Sequence, residues 1–145
     1  MCIRDRVKLG ERQVFSRINA MLADGWGRVE EWGTWSEGPE AEVVLRIPPE
    51  ARAISIEAAA FVQPSHTRQR VEVSINGIEA LSTQFTRLQD NTFELLLTPA
   101  IREAIGADGR LRVQFHLPDA ISPKALGLGS DERVMGLGLK SLTVR

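Results

Sequence analysis

Leu111-Arg112-Val113-Gln114-Phe115-His116-Leu117 decides the fold. Every second side chain is apolar and the ones between are polar, a period of two that belongs to a strand with one buried face. The same period recurs along the chain. Val43, Leu45 and Ile47 alternate with Glu42, Val44 and Arg46. Ile54, Ile56, Ala58 and Ala60 alternate with Ser55, Glu57 and Ala59. Val71, Val73 and Ile75 alternate with Arg70, Glu72 and Ser74, and Phe93, Leu95 and Leu97 with Glu94, Leu96 and Thr98. Short strands at fairly regular spacing predict a two-sheet antiparallel β-sandwich of jelly-roll type, all-β, rather than a βαβ sheet.

The residues between the strands agree. Asn76-Gly77 separates two strand-like runs, and both accept positive φ, which is a type I′ hairpin signal. Pro48-Pro49 ends a strand, because proline has no N–H for the ladder. Thr98 as cap, Pro99 at the first position and Gly106 beyond the end predict one short helix, with Ile101 and Ile105 on one face. A second helical turn is expected through Pro123-Lys124-Ala125-Leu126, and the first strand over Val7 to Phe15. In the last segment Leu137 and Leu139 share one phase while Leu142 and Val144 share the other. A β-bulge near Lys140-Ser141 would return all four to the core.

The chain has 145 residues, enough for one domain with a real core, and 43% hydrophobic with 26% charged residues is ordinary for a globular protein. The net charge of −1 comes from interspersed acids and bases, so there is no basic stripe for nucleic acid. No apolar run approaches the roughly 18 residues of a membrane span, so this segment is not expected to insert in a bilayer. Met1-Cys2-Ile3-Arg4-Asp5-Arg6 reads as the translation of a transposase mosaic-end adapter from a sequencing library and is set aside. The one cysteine, Cys2, goes with it, leaving neither disulfide nor thiolate chemistry. Residues 7–145 are then expected to be a single domain, the C-terminal part of a longer protein.

No Ser/His/Asp arrangement carries a catalytic motif. His66 and His116 lie far apart with no ligand at metal spacing, so neither a metal nor another cofactor is expected, and His116 falls on the outward phase of its strand. The glycines at 127, 129, 136 and 138 lack the strand–loop–helix context of a phosphate loop. Glu30-Glu31 and Asp131-Glu132 supply paired acids, the residue type of a glycosidase or lyase, although adjacent surface acids are more often solvated. The unusual feature is aromatic placement. Trp26, Trp32 and Trp35 fall within Gly25–Gly38, and tyrosine is absent. Two readings stand: the indoles fill the end of the sandwich, or they present flat apolar faces to sugar rings. Glu31 places an acceptor beside them. Asp131 and Arg133, near the other end of the chain, form either a surface ion pair or a donor–acceptor set for a hydroxylated ligand.

The stretches Glu31-Trp32-Gly33-Thr34-Trp35-Ser36-Glu37-Gly38 and Ser122-Pro123 through Ser130-Asp131-Glu132-Arg133-Val134-Met135-Gly136-Leu137-Gly138-Leu139, with Val7-Lys8-Leu9-Gly10-Glu11, Gly25-Trp26 and Asn76-Gly77, resemble an accessory domain of bacterial envelope proteins. Such domains occur in the C-terminal regions of membrane-bound phosphoglycerol transferases and of some surface-polysaccharide glycosyltransferases. The resemblance implies a β-sandwich like a carbohydrate-binding module, appended to a larger enzyme of the cell envelope. It supplies no catalytic residue. Related domains often have proline after the glutamate preceding Trp-Gly, whereas here Trp32 follows Glu31 directly, which weakens any carry-over to Glu30. The expected partners are a glycan or glycan-lipid and a fused or partner membrane transferase. The expected ligand-binding residues are Trp26, Glu31, Trp32, Trp35, Asp131 and Arg133, in a non-catalytic module. The alternatives are a purely structural or docking domain and, less favoured, a glycosidase or lyase.

Overall fold

The computed structural model describes residues 6–17 and 21–145. Cys2 and most of the adapter-like segment lie outside them. The strands are β1 (Arg12–Val14), β2 (Thr34–Trp35), β3 (Glu40–Arg46), β4 (Ala53–Ala60), β5 (Gln69–Ile75), β6 (Ile78–Phe85), β7 (Asn91–Leu96), β8 (Arg110–His116) and β9 (Leu137–Val144), with one helix, α1 (Pro99–Ala104). They form two antiparallel sheets. The five-stranded sheet runs β1-β9-β4-β7, with β2 also paired to β9, and the four-stranded sheet runs β3-β8-β5-β6. From β2 onward the chain changes sheet at every connection except the β5–β6 hairpin, which is jelly-roll connectivity.

The alternating residues fill the space between the sheets. Leu45, Ile54, Val71, Val73, Ile75, Leu95, Leu111, Val113, Leu117, Leu137, Leu139 and Val144 are inaccessible to solvent. The β5–β6 hairpin turns on Asn76 (φ 49°) and Gly77 (φ 85°), as a type I′ turn requires. Thr98 caps α1, its hydroxyl accepting from Ile101 N–H, and Ile101 is wholly buried. The β4–β9 register slips between Glu57 and Ala58, which face Ser141 and Leu139, so Lys140 is bulged out and both leucine phases reach the core.

Three expectations are corrected. The first strand is confined to Arg12–Val14, because the chain turns through Leu9-Gly10 with Gly10 at φ 77°. The helical turn expected at 123–126 is present as a single turn, Leu126 N–H bonding Ser122 O (3.3 Å) and Pro123 O (3.1 Å), and it goes no further, closing at Gly127 with φ 73°. Val44 and Ala59 are buried despite their outward phase, and Phe93 is only half-buried, its ring 5.6 Å from that of Phe85. Ala59 is the cross-strand partner of Gly138, beside which Trp32 and Trp35 lie on the outside of the five-stranded sheet.

The sandwich has two distinct poles. At one, Arg6 donates to Ile47 O (3.2 Å) and Ala107 O (2.9 Å), Val7 N–H donates to Arg46 O, and Arg145 N–H donates to Ala53 O. At the other, the starts of β3 and β9 meet the tryptophan segment.

Candidate functional site

The tryptophan segment is held by backbone hydrogen bonds and by close approach at two glycines. Glu30 and Gly33 exchange N–H···O bonds of 2.7 and 3.2 Å, closing a tight turn with Glu31 and Trp32 at its tip. Gly33 is at φ 145°, and a Cβ there would stand 2.0 Å from Leu139 O, so the turn lies directly on β9 and requires glycine. Trp35 and Gly138 are cross-strand partners, as are Ala59 and Gly138. Leu137 and Leu139 point inward, so Gly138 faces outward, and its missing side chain leaves room for the indoles. A Cβ at Gly138 would meet Trp32 Cη2 at 2.8 Å and Trp35 Cε3 at 3.2 Å.

Gly138 thus floors an aromatic platform on the outer face of the five-stranded sheet. Trp32 and Trp35 meet edge to face with centroids 5.3 Å apart. Trp35 meets Phe61 in the same manner at 6.2 Å, and Phe61 meets His66 at 6.5 Å. Trp32, Trp35 and His66 are half-buried, while Phe61 is almost fully covered. Sequence reasoning missed Phe61 and His66. The available signal was Phe61 in the same outward phase as Ala59, an apolar ring where a solvated residue would be expected.

Trp26 stands apart from the pair. Its indole N–H donates to Glu42 O at 2.7 Å, and its ring packs edge-on against Phe115 of the core at 6.0 Å. Its polar atom is thus committed to the fold and its ring packs against the core, although Trp26 is half-buried, as Trp32 and Trp35 are.

The two predicted segments do come together. Ser36 N–H donates to Leu137 O (2.8 Å) and Gly38 N–H to Val134 O (2.7 Å). The buried Ser36 hydroxyl accepts from Gly136 N–H (3.1 Å) and Leu137 N–H (3.0 Å). Arg133 grips Asp131 in a fork, Nη2 to Oδ2 at 2.8 Å and Nε to Oδ1 at 3.1 Å, and its backbone N–H adds a third bond at 3.0 Å. This holds the Asp131 carboxyl below its ordinary range. The Arg133 guanidinium is shifted up by Asp131, with smaller contributions from Glu30 and Glu37, which places the fork in the field of the tryptophan turn. Lys124 pairs with Glu132 at 2.7 Å on the same rim. Glu31 is exposed at the turn tip.

The other sheet carries a groove of about 430 Å³ on its outer face, lined by Asp24, Glu40, Glu42, Glu72, Gln114 and His116 among others. The His116 ring nitrogens lie 3.7 Å from Glu40 and 3.8 Å from Glu72. Both carboxylates are more than half exposed, and Glu42 is paired with Arg112, so none sits in the apolar pocket that a glycosidase general acid uses. Among the described residues, no three His, Cys, Asp or Glu side chains gather to hold a metal ion.

Comparison with known proteins follows the fold. The carbohydrate-binding module CBM36, solved in complex with calcium and xylotriose, is similar at a TM-score of 0.52 and 11% identity, over 93% of this chain and 99% of that one. The acetyl xylan esterase Est2A from the rumen bacterium Butyrivibrio proteoclasticus is similar at 0.53 and 14%, over 92% of this chain and 32% of that one. A Paenibacillus sp. cycloisomaltooligosaccharide glucanotransferase, complexed with cycloisomaltoheptaose, is similar at 0.50 and 14%, over 98% of this chain and 19% of that one. In the last two the likeness spans a third or less of a longer protein. At these identities it is a likeness of fold: a β-sandwich of the carbohydrate-binding-module kind. No curated protein matches the sequence. A family profile matches residues 17–145. The chain belongs to that family, described as domain of unknown function DUF7024.

Proposed function

We propose that this domain is a non-catalytic glycan-binding module that holds glycan for a bacterial envelope glycan-synthesising enzyme of which it is an appended part. The observation that carries the reading is the half-buried Trp32–Trp35 pair, set against Gly138 on the outside of a sheet. A core filler has no need of an outer face. Rings fixed there offer rigid apolar surface at little conformational cost, and the C–H faces of a sugar fit it. In this reading Glu31, exposed at the tip of the turn that carries Trp32, and the Asp131–Arg133 fork supply acceptors and donors for hydroxyl groups. Trp26, although part of the same sequence stretch, packs against the core instead.

Two further facts support the reading. The similar solved structures include a carbohydrate-binding module with xylotriose and an enzyme with cycloisomaltoheptaose. Val7 and Arg145 both sit at the pole opposite the tryptophans, so a tether at either end leaves the platform unobstructed. The envelope context rests on the resemblance of the two motif stretches alone.

The test is calorimetry of the domain against an oligosaccharide panel containing xylotriose and cycloisomaltoheptaose, with Trp32→Ala, Trp35→Ala and Trp26→Phe alongside. Binding by the wild type, weakened tenfold or more by Trp32→Ala or Trp35→Ala and unchanged by Trp26→Phe, is expected. Binding that survives both alanine variants, in proteins that still melt cooperatively, would move the site elsewhere. Buried, quencher-resistant emission from all three indoles, with no binding, would favour the structural or docking role.

A further inference from the structure

We propose that His66 is a further ligand-contacting residue of this platform, held by Gln69 as the tautomer that offers its Nδ1–H to a sugar hydroxyl. The proposal rests on the glycan reading of the site and names its far end.

Gln69 is inaccessible to solvent, the first residue of β5, and its Nε2 donates to Phe61 O at 3.0 Å. A carbonyl accepts and cannot donate, so the end of the amide facing Phe61 must be the NH₂ end, and the alternative flip is excluded. The second N–H of that group faces His66 Nε2 at 3.3 Å. Two donors cannot share one line, so His66 Nε2 must be the bare, accepting nitrogen. The ring proton of neutral His66 then sits on Nδ1. The cost of the arrangement is visible: Gln69 Oε1 is buried with no partner. Leaving a buried acceptor unsatisfied is unfavourable, so the fold retains this orientation against a penalty.

The exposed side of the ring points the same way. His66 is half-buried, its Nδ1 makes no hydrogen bond among the described residues, and it is not among the buried unpaired atoms. It is therefore a solvent-accessible donor of fixed tautomer. The Gln63–His66 turn, closed by reciprocal N–H···O bonds of 2.8 and 2.9 Å, fixes the backbone beneath it. Through Phe61 the ring is continuous with Trp35 and Trp32. Stacking surface at one end and a preset donor at the other is the combination a small polar set in an apolar site uses to orient a ligand. Gln69 touches no ligand and is a positioning residue, acting through the His66 tautomer.

The experiment has two parts. Long-range ¹H–¹⁵N NMR of the unliganded domain at neutral pH reads the tautomer directly and needs no ligand. The expected result is Nδ1–H for His66, and loss of that single state in Gln69→Met, which is similar in size but has no donor. Nε2–H in the wild type would overturn the proposal whatever the domain binds. The second part titrates wild type and His66→Ala with the oligosaccharide, xylotriose or cycloisomaltoheptaose, that binds the tryptophans. A five- to tenfold weakening at unchanged melting temperature is expected. Equal affinity would refute the role of His66 and leave the glycan reading intact. Absence of wild-type binding to either sugar would overturn both.

Discussion

Gly138→Ala is the smallest change that acts on the platform without removing an aromatic ring or a charge. The new methyl would stand 2.8 Å from Trp32 Cη2, 2.9 Å from Trp32 Cζ3 and 3.2 Å from Trp35 Cε3. Carbon atoms rest at about 3.5–4.0 Å, so Trp32 must withdraw by roughly 0.7 Å or more. Overpacking of this kind costs about 1–3 kcal/mol. Replacing glycine within a strand recovers about 0.5–1 kcal/mol through the unfolded chain. The net destabilisation is then about 0.5–2 kcal/mol, a fall in melting temperature of roughly 2–6 °C for a domain of this length. Thermal unfolding by circular dichroism measures it. Tryptophan emission in a Trp26→Phe background should shift to the red as Trp32 lifts towards solvent, and oligosaccharide affinity should fall with it. Unchanged melting temperature and unchanged emission would mean that the indoles do not rest on Gly138, and the platform as described would be wrong.

Gly33→Ala should be far more severe, at least about 3 kcal/mol, because its Cβ would lie 2.0 Å from Leu139 O and backbone cannot yield as a side chain can. Urea unfolding of this variant against Gly138→Ala checks the order. Ser36→Ala removes the acceptor of two buried N–H groups, Gly136 and Leu137, and should cost about 2–4 kcal/mol by the same assay. Arg70 grips Asp119 through Nε and Nη2, at 2.9 and 2.8 Å, and this holds the Asp119 carboxyl down at about 2 from an ordinary 3.8. The lowered value means that its contribution to stability is complete above about pH 4 and is lost as the pH falls towards 2. Asp119→Asn should lose less stability than the wild type over that window in pH-dependent unfolding.

The β-sandwich was legible wherever one face of a strand was buried and the other wet, as in Leu111–Leu117 and Val71–Ile75. Even the bulge was readable, because Leu137 with Leu139 and Leu142 with Val144 cannot share a face without an extra residue at Lys140. Legibility failed where burial did not alternate. The edge strand β6 keeps most of its side chains at least partly exposed and shows no clean period. Ala59 looked solvated because nothing local announces the indoles beside its cross-strand partner Gly138. The tryptophans marked the site, but the sequence left open which packed against the core and which formed the platform. That depended on Gly138, more than 100 residues away, and on Glu42 O accepting from Trp26. Phe61 and His66 enter only because β4 delivers them beside β2 across β9, a juxtaposition with no local signature.

The most direct test of the glycan platform is the ¹H–¹⁵N spectrum of the three indole N–H groups during titration with xylotriose and with cycloisomaltoheptaose. The account predicts that the Trp32 and Trp35 indole resonances move with ligand while Trp26, its N–H committed to Glu42 O, stays in place. Indole resonances that are all indifferent to these sugars, or shifts confined to residues around His116 on the other sheet, would contradict it.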